Sequence, residues 1–223
     1  MRNERIAKSL FVAMAIWCLL GAQVVAQEKI APTADEALQR LKKGNEKFVA
    51  DPSSPPMLSA ERRQEVAKGQ HPFAIILTCA DSRLAPEHIF NQGLGDIFVL
   101  RVAGNIADPY VLGSMEFAVA SLNSPLIVVL GHSKCGAVAA AMGENKLPGN
   151  LGKLIAEVHV GKDLPSEKPA ALDAAIANNV RHQAELLTKR SDVVKEFVDH
   201  KKVRIVTGVY SLESGKVTWL EEK

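Results

Sequence analysis

The sequence predicts an α/β fold: a mostly parallel central β-sheet with an antiparallel edge strand, flanked by helices and preceded by an N-terminal helical arm. Three observations carry this. Short apolar runs at 73–78, 97–102, 126–130 and 203–210 read as strands buried on both faces, the mark of a parallel sheet. Helical patterns separate them, as crossover connections require. The turn Glu213-Ser214-Gly215 then folds the last run back onto residues 216–220 as a hairpin partner.

In chain order, the first 26 residues stand outside this fold. Arg2, Arg5 and Lys8 make a basic start, residues 10–20 an apolar core, and Val24-Val25-Ala26 a cleavage site of small or short residues. A signal peptide over 1–26 is expected to be removed, leaving one domain, 27–223, that is periplasmic or secreted. The apolar core falls short of the ~20 residues a membrane span needs, so no membrane association is expected after cleavage. Cys18 follows no lipoprotein-like Leu-Ala-Gly, so no lipid anchor is expected either.

Residues 33–50 are amphipathic, with Ala37, Leu38, Leu41, Phe48 and Val49 set among charges, and Thr33 and Glu36 have capping-box spacing. A Pro- and Ser-rich loop, 51–56, precedes a short helix over 59–68 that Gly69 stops. After the first strand, residues 92–96 turn the chain into the second. Gly93-x-Gly95 is no dinucleotide fingerprint: Phe98 fills the third glycine position, and a strand follows rather than a helix. Asp108-Pro109 caps and opens a helix running to about Leu122, with Val111, Met115, Ala118 and Leu122 on one face and Phe117 off it. Ser124-Pro125 breaks it before the third strand. A helix starts at Cys135, residues 162–169 form a loop, and Leu172, Ile176, Val180 and Leu187 mark a long helix before the final hairpin.

Composition excludes several classes. The signal segment holds 3 of the 27 Lys and Arg and 1 of the 25 Asp and Glu, so the remainder carries 24 of each. That balance gives no basic surplus for nucleic acid or anionic lipid. Of the 3 cysteines only Cys79 and Cys135 remain after cleavage. In an exported chain the plain reading is a disulfide, but it leaves Asp81, Arg83 and His132 unexplained.

Those residues sit where chemistry is expected. One strand ends in Cys79-Ala80-Asp81-Ser82-Arg83 and another in Gly131-His132-Ser133-Lys134-Cys135-Gly136. Adjacent parallel strands would bring both sets together beyond their carboxyl ends, where α/β sheets bind ligands. Two thiols and an imidazole suit zinc, one ion per chain, with three ligands and an open fourth position; Asp81 as fourth ligand would instead close the site. Cys135 opens a helix, which favours its thiolate and lets the Gly136 N–H face an anion. Gly131-x-Ser133 falls short of a nucleophile elbow, because Cys135 stands where the elbow needs glycine.

With these residues the chain resembles the β-class carbonic anhydrases. Cys79-x-Asp81-x-Arg83 and His132-x-x-Cys135-Gly136 look like that family's two signatures, and the similarity runs from Gly44-Asn45-Glu46-Lys47-Phe48 to Thr207-Gly208-Val209-Tyr210. The resemblance implies zinc on Cys79, His132 and Cys135, with water or hydroxide as fourth ligand. It implies reversible hydration of carbon dioxide to bicarbonate and a proton, with Asp81 accepting a hydrogen bond from the hydroxide and Arg83 holding Asp81. It also implies a homodimer or a dimer of dimers, with active sites near the interface. Gln70 matches an amide that binds substrate, and Phe98 an aromatic wall; Phe117 stands where the family's plant-like subgroup usually has tyrosine, which removes a hydroxyl. Two alternatives remain at this stage: a hydrolase of carbonyl sulfide or carbon disulfide on the same fold, and a non-enzymatic disulfide-bonded exported domain.

Overall fold

In the computed structural model, which describes residues 32–53, 58–144 and 146–221, the apolar runs become β1 (Ala74–Thr78), β2 (Ile97–Arg101), β3 (Leu126–His132) and β4 (Arg204–Tyr210). The hairpin partner is β5 (Val217–Glu221). One sheet forms in the order β2-β1-β3-β4-β5. Its first four strands are parallel, and β5 closes one edge antiparallel to β4. β1 and β3 are buried at every position, which is why they read as unbroken rather than alternating apolar runs. β3 outlasts its apolar run by Gly131 and His132, so the imidazole is carried on the strand itself. The expected signal peptide, 1–26, lies outside the described residues. No described helix is long and apolar enough to cross a membrane.

The helices opened by Thr33, Ser59 and Asp108 start where their caps predict. α1 (Ala34–Ala50) opens with the full capping box: Thr33 Oγ1 accepts from the Glu36 N–H at 3.2 Å, and the Glu36 carboxylate accepts from the Thr33 N–H at 2.8 Å. α2 (Ala60–Val66) is capped by Ser59 and buries nothing. α4 (Pro109–Ala120) begins at Asp108, whose carboxylate accepts from the N–H groups of Tyr110 and Val111 at 2.8 and 2.9 Å. α5 (Gly136–Ala141) follows Cys135, and α7 (Lys168–Arg190) is the long helix. α7 starts earlier than the sequence suggests: Pro169, expected in a loop, sits in its first turn, where the missing N–H had no partner to lose. Three short helices, α3 (Pro86–Ile89), α6 (Gly149–Ala156) and α8 (Asp192–Asp199), had no counterpart in the sequence pattern.

Each face of the sheet has its own core. On one, Ala74, Ile76, Val128 and Leu130 pack with Leu38 and Leu41 of α1 and with Ala175 and Ile176 of α7, and this cluster includes Cys79 and Cys135. On the other, Ile75, Leu77, Ile127 and Val129 pack with Val111 and Met115 of α4, Val180 and Leu187 of α7, and Val194 of α8. Full burial of each Leu, Ile, Val or Met side chain among them contributes about 1.5–3 kcal/mol. Helix α7 thus serves both cores, and it presses hard on β3: a Cβ on Gly131 would lie 2.5 Å from Val180 Cγ2. Glycine at 131 is what lets the helix pass.

Candidate metal centre

β1 and β3 are parallel neighbours with Thr78 beside Leu130. The fully buried Thr78 hydroxyl donates to the Leu130 carbonyl at 2.8 Å and pins the two strand ends level. Cys79, one residue past β1, therefore meets His132, the last residue of β3. The chain then turns through Ser133 and Lys134, the latter left-handed with φ 55°. Ser133 anchors the turn: its N–H donates to the Tyr210 carbonyl at 2.9 Å, and its Oγ accepts from the Leu212 N–H at 3.0 Å. This reversal places Cys135 at the N-cap of α5.

The Cys79 and Cys135 sulfurs and a His132 ring nitrogen lie within 4.8 Å of one another, and all three residues are buried. Both cysteines are free thiols, which disposes of the disulfide reading. The donor set fits zinc on two further observations. His132 Nδ1 lies 2.9 Å from the Ser133 carbonyl, so Nδ1 carries the proton and Nε2 presents its lone pair. That Nε2 is buried and has no hydrogen-bond partner, a costly state for a polar atom unless something binds it. The two sulfurs meanwhile act on each other. A hydrogen bond from Cys135 pulls the Cys79 thiol down to about 4 despite burial, and the same bond, with burial, pushes Cys135 up. A dication among them would satisfy both sulfurs and the orphaned nitrogen.

Asp81 lies beside this set, with Oδ2 3.9 Å from His132 Nε2. Arg83 grips it in a fork: Nε donates to Oδ1 at 2.9 Å, Nη2 to Oδ2 at 2.6 Å, and the Arg83 N–H to Oδ1 at 3.0 Å. Those bonds from Arg83, stronger than the opposing effect of burial, hold the carboxyl far below the usual range. With both oxygens engaged, Asp81 is turned to the guanidinium.

Two supporting residues escaped sequence reasoning. Arg101, at the end of β2, donates to the carbonyls of Asp81 at 2.7 Å and Cys79 at 3.3 Å. The Gly104 N–H donates to the Cys79 sulfur at 3.3 Å. The one signal in the chain was Gly104 itself, which takes φ 72°. Gly136 follows Cys135 directly, and a Cβ there would meet nothing within 4 Å.

The remaining expected pocket residues are elsewhere in this chain. Phe98, on β2, packs in the cluster opposite that of Cys79 and Cys135. Phe117, on α4, is 49% exposed. Gln70 is exposed in the connection between α2 and β1. A surface cavity of about 650 Å³ between α5 and α6, lined by Ala140, Lys146, Leu147 and Lys153 among others, includes none of the site residues.

Comparisons with known proteins agree with the geometry. A family described as "Carbonic anhydrase" matches residues 74–217. "Carbonic anhydrase 2" of Mycobacterium tuberculosis is 42% identical over 185 residues, 81% of this chain and 89% of the relative. The carbonic anhydrase of Mycolicibacterium smegmatis is 39% identical over 186 residues, 81% of this chain and 90% of the relative. Among solved structures, the Coccomyxa β-carbonic anhydrase in complex with acetazolamide superposes with a TM-score of 0.65 at 26% identity, covering 85% of this chain and 86% of that one. The β-carbonic anhydrase CafA of Aspergillus fumigatus gives 0.65 at 28% identity, over 85% and 91%.

Proposed function

The chain belongs to the carbonic anhydrase family, in its β class, and hydrates carbon dioxide reversibly to bicarbonate and a proton with zinc as cofactor; from that premise we propose how its own residues divide the work. Action on carbonyl sulfide or carbon disulfide is not favoured by these findings. Zinc, when bound, acidifies water toward a pKa of ~7 and so makes a nucleophile available near neutral pH. Cys79, His132 and Cys135 hold it. Asp81 accepts a hydrogen bond from the attacking water at Oδ2, the oxygen near His132, and so aims the water's lone pair at carbon dioxide. Arg83 keeps Asp81 ionised and, by occupying both its oxygens, keeps it from turning inward to close the site. Gly136 leaves room for substrate beside the ligands.

Gln70, Phe98 and Phe117 serve a second copy of the chain rather than their own. The exposure of Gln70 and Phe117 and the packing of Phe98 in the cluster opposite Cys79 and Cys135 support this, as does the solvent-facing side of α4, where Tyr110 is 88% and Phe117 49% exposed at a seven-residue spacing. In a homodimer or a dimer of dimers, Gln70 orients a substrate oxygen and the two rings supply an apolar wall for a small apolar gas.

The buried Cys–His–Cys set with its unpartnered Nε2 carries the functional reading. Its test is zinc per chain measured beside carbon dioxide hydration. The unsubstituted protein is expected to hold one zinc, and Cys79→Ser, His132→Ala and Cys135→Ser are each expected to lose metal and activity. Stoichiometric zinc in any variant removes that residue from the set. Residues 1–26 act as a signal that sends the domain 27–223 to the periplasm or outside the cell. N-terminal sequencing of the exported protein is expected to begin at Gln27; a cell-associated chain that keeps residues 1–26 overturns the assignment.

A further inference from the structure

The Gly104 N–H on the Cys79 sulfur is held in place from a distance. Gly104 lies in the short 3-10 turn Ala103–Asn105, with a left-handed φ of 72° that favours glycine. A Cβ there would also lie 2.9 Å from Val158 Cγ2. A turn this short does little to fix itself; its backbone bond runs from the Asn105 N–H to the Val102 carbonyl at 2.9 Å. The brace comes from α7. Asn179 Nδ2 donates to the Gly104 carbonyl at 2.8 Å. Asn179 Oδ1 accepts from the His159 N–H at 3.0 Å and from Gln183 Nε2 at 3.3 Å. Gln183 Nε2 also donates to the Glu157 carbonyl at 2.8 Å, and Gln183 Oε1 accepts from the Ala107 N–H at 2.8 Å. Both side chains are fully buried, at 0% exposure.

The direction of every bond in this ladder is forced. A backbone N–H only donates, so Ala107 obliges Gln183 to turn its oxygen outward and its nitrogen toward Glu157 and Asn179. Asn179 must then present oxygen to Gln183 and His159, which leaves its nitrogen for Gly104. Packing alone would be met by apolar residues, as at Ala175, Ile176, Val180 and Leu187 on the same helix. Two fully partnered amides specify a geometry instead.

We propose that Asn179 and Gln183 are positioning residues of the zinc centre, which hold the Gly104 N–H on the Cys79 sulfur and thereby fix that ligand's direction and draw charge from it. The proposal rests on the zinc assignment above. A thiolate that accepts a hydrogen bond donates less charge to its metal, so a centre with two thiolates keeps more of the field that acidifies water.

The test uses the full mature chain. Asn179→Asp removes the donor to Gly104 and keeps the acceptor for His159 and Gln183. Asn178→Ala is the control, since Asn178 Nδ2 braces the Val160 carbonyl at 3.1 Å from the same helix without touching the turn. In chelator competition Asn179→Asp is expected to lose ~10–100-fold in zinc affinity. In the cobalt-substituted protein its thiolate-to-metal bands are expected to move to longer wavelength, while Asn178→Ala moves neither. Unchanged affinity and bands in folded Asn179→Asp, or the same shifts in Asn178→Ala, overturn the proposal. Should Asn179→Asp fail to fold, Gln183→Met is read in the same way. The unsubstituted protein loaded with cadmium-113 is expected to show scalar coupling between the metal and the Gly104 amide proton, and its absence is equally fatal. A mature chain that binds no zinc would instead defeat the metal assignment itself.

Discussion

At the scale of single residues, the role proposed for the Asp81–Arg83 pair is to keep the centre open. The carboxyl is held below its ordinary value, so it stays ionised throughout the neutral range. The sign follows: what the pair adds to stability is present above the unfolded Asp value of ~3.9 and is lost as pH falls toward the lower folded value. An inflection in kcat/KM between pH 6 and 9 therefore does not come from Asp81, and activity is expected to rise into the alkaline range as the attacking water ionises. Arg83→Ala frees both carboxylate oxygens, and a stopped-flow assay is expected to find kcat/KM down by about 10–100-fold with zinc retained. Normal activity in that variant, or a profile peaking below neutrality, would defeat the role given to the pair. Cys79, His132, Cys135, Asp81 and Arg83 were legible in the sequence because each lies at the end of a recognisable apolar strand. Arg101 and Gly104 were not, because their partners lie 20 to 25 residues away in sequence.

At the scale of elements, the contact of α7 with β3 sets the position of the imidazole. Gly131→Ala would place a methyl 2.5 Å from Val180 Cγ2 and 3.3 Å from Ile176 Cγ2. Overpacking of this kind costs about 1–3 kcal/mol. That corresponds to roughly 2–12 °C in Tm for a chain of this size, and His132 is the next residue, so zinc content should fall with it. Gly136→Ala meets open space and is expected to keep the unsubstituted Tm in calorimetry. Equal losses in both variants would show that the helix contact is not what glycine 131 serves. The strands and the caps of α1 and α4 were legible because their signals are local: apolar runs, Thr33 with Glu36, Asp108 with Pro109. The short α3, α6 and α8, of 4, 8 and 8 residues, carry too few turns for periodicity to stand out.

At the scale of the whole molecule, two copies are proposed to share one pocket. Co-expressed Gln70→Ala and Arg83→Ala chains put this to the test, because a mixed dimer rebuilds one intact site from Arg83 of one chain and Gln70 of the other. Activity above that of either variant alone is expected; activity no higher would mean that Gln70 serves its own chain. Such a division cannot be read from the sequence, where spacing along the chain gives no hint of which copy a residue serves. Pairing of β1 with β3 has one more consequence. β1 is buried on both faces, so its apolar side chains would tolerate a slip of one residue almost as well as the native alignment of Thr78 with Leu130. A slip would turn every side chain to the opposite face and carry the Cys79 sulfur away from His132. Only the correct alignment then binds the ion, and mass action adds the binding free energy to that alignment alone. Zinc capture is thus expected to reinforce the strand pairing that the Thr78–Leu130 bond already favours.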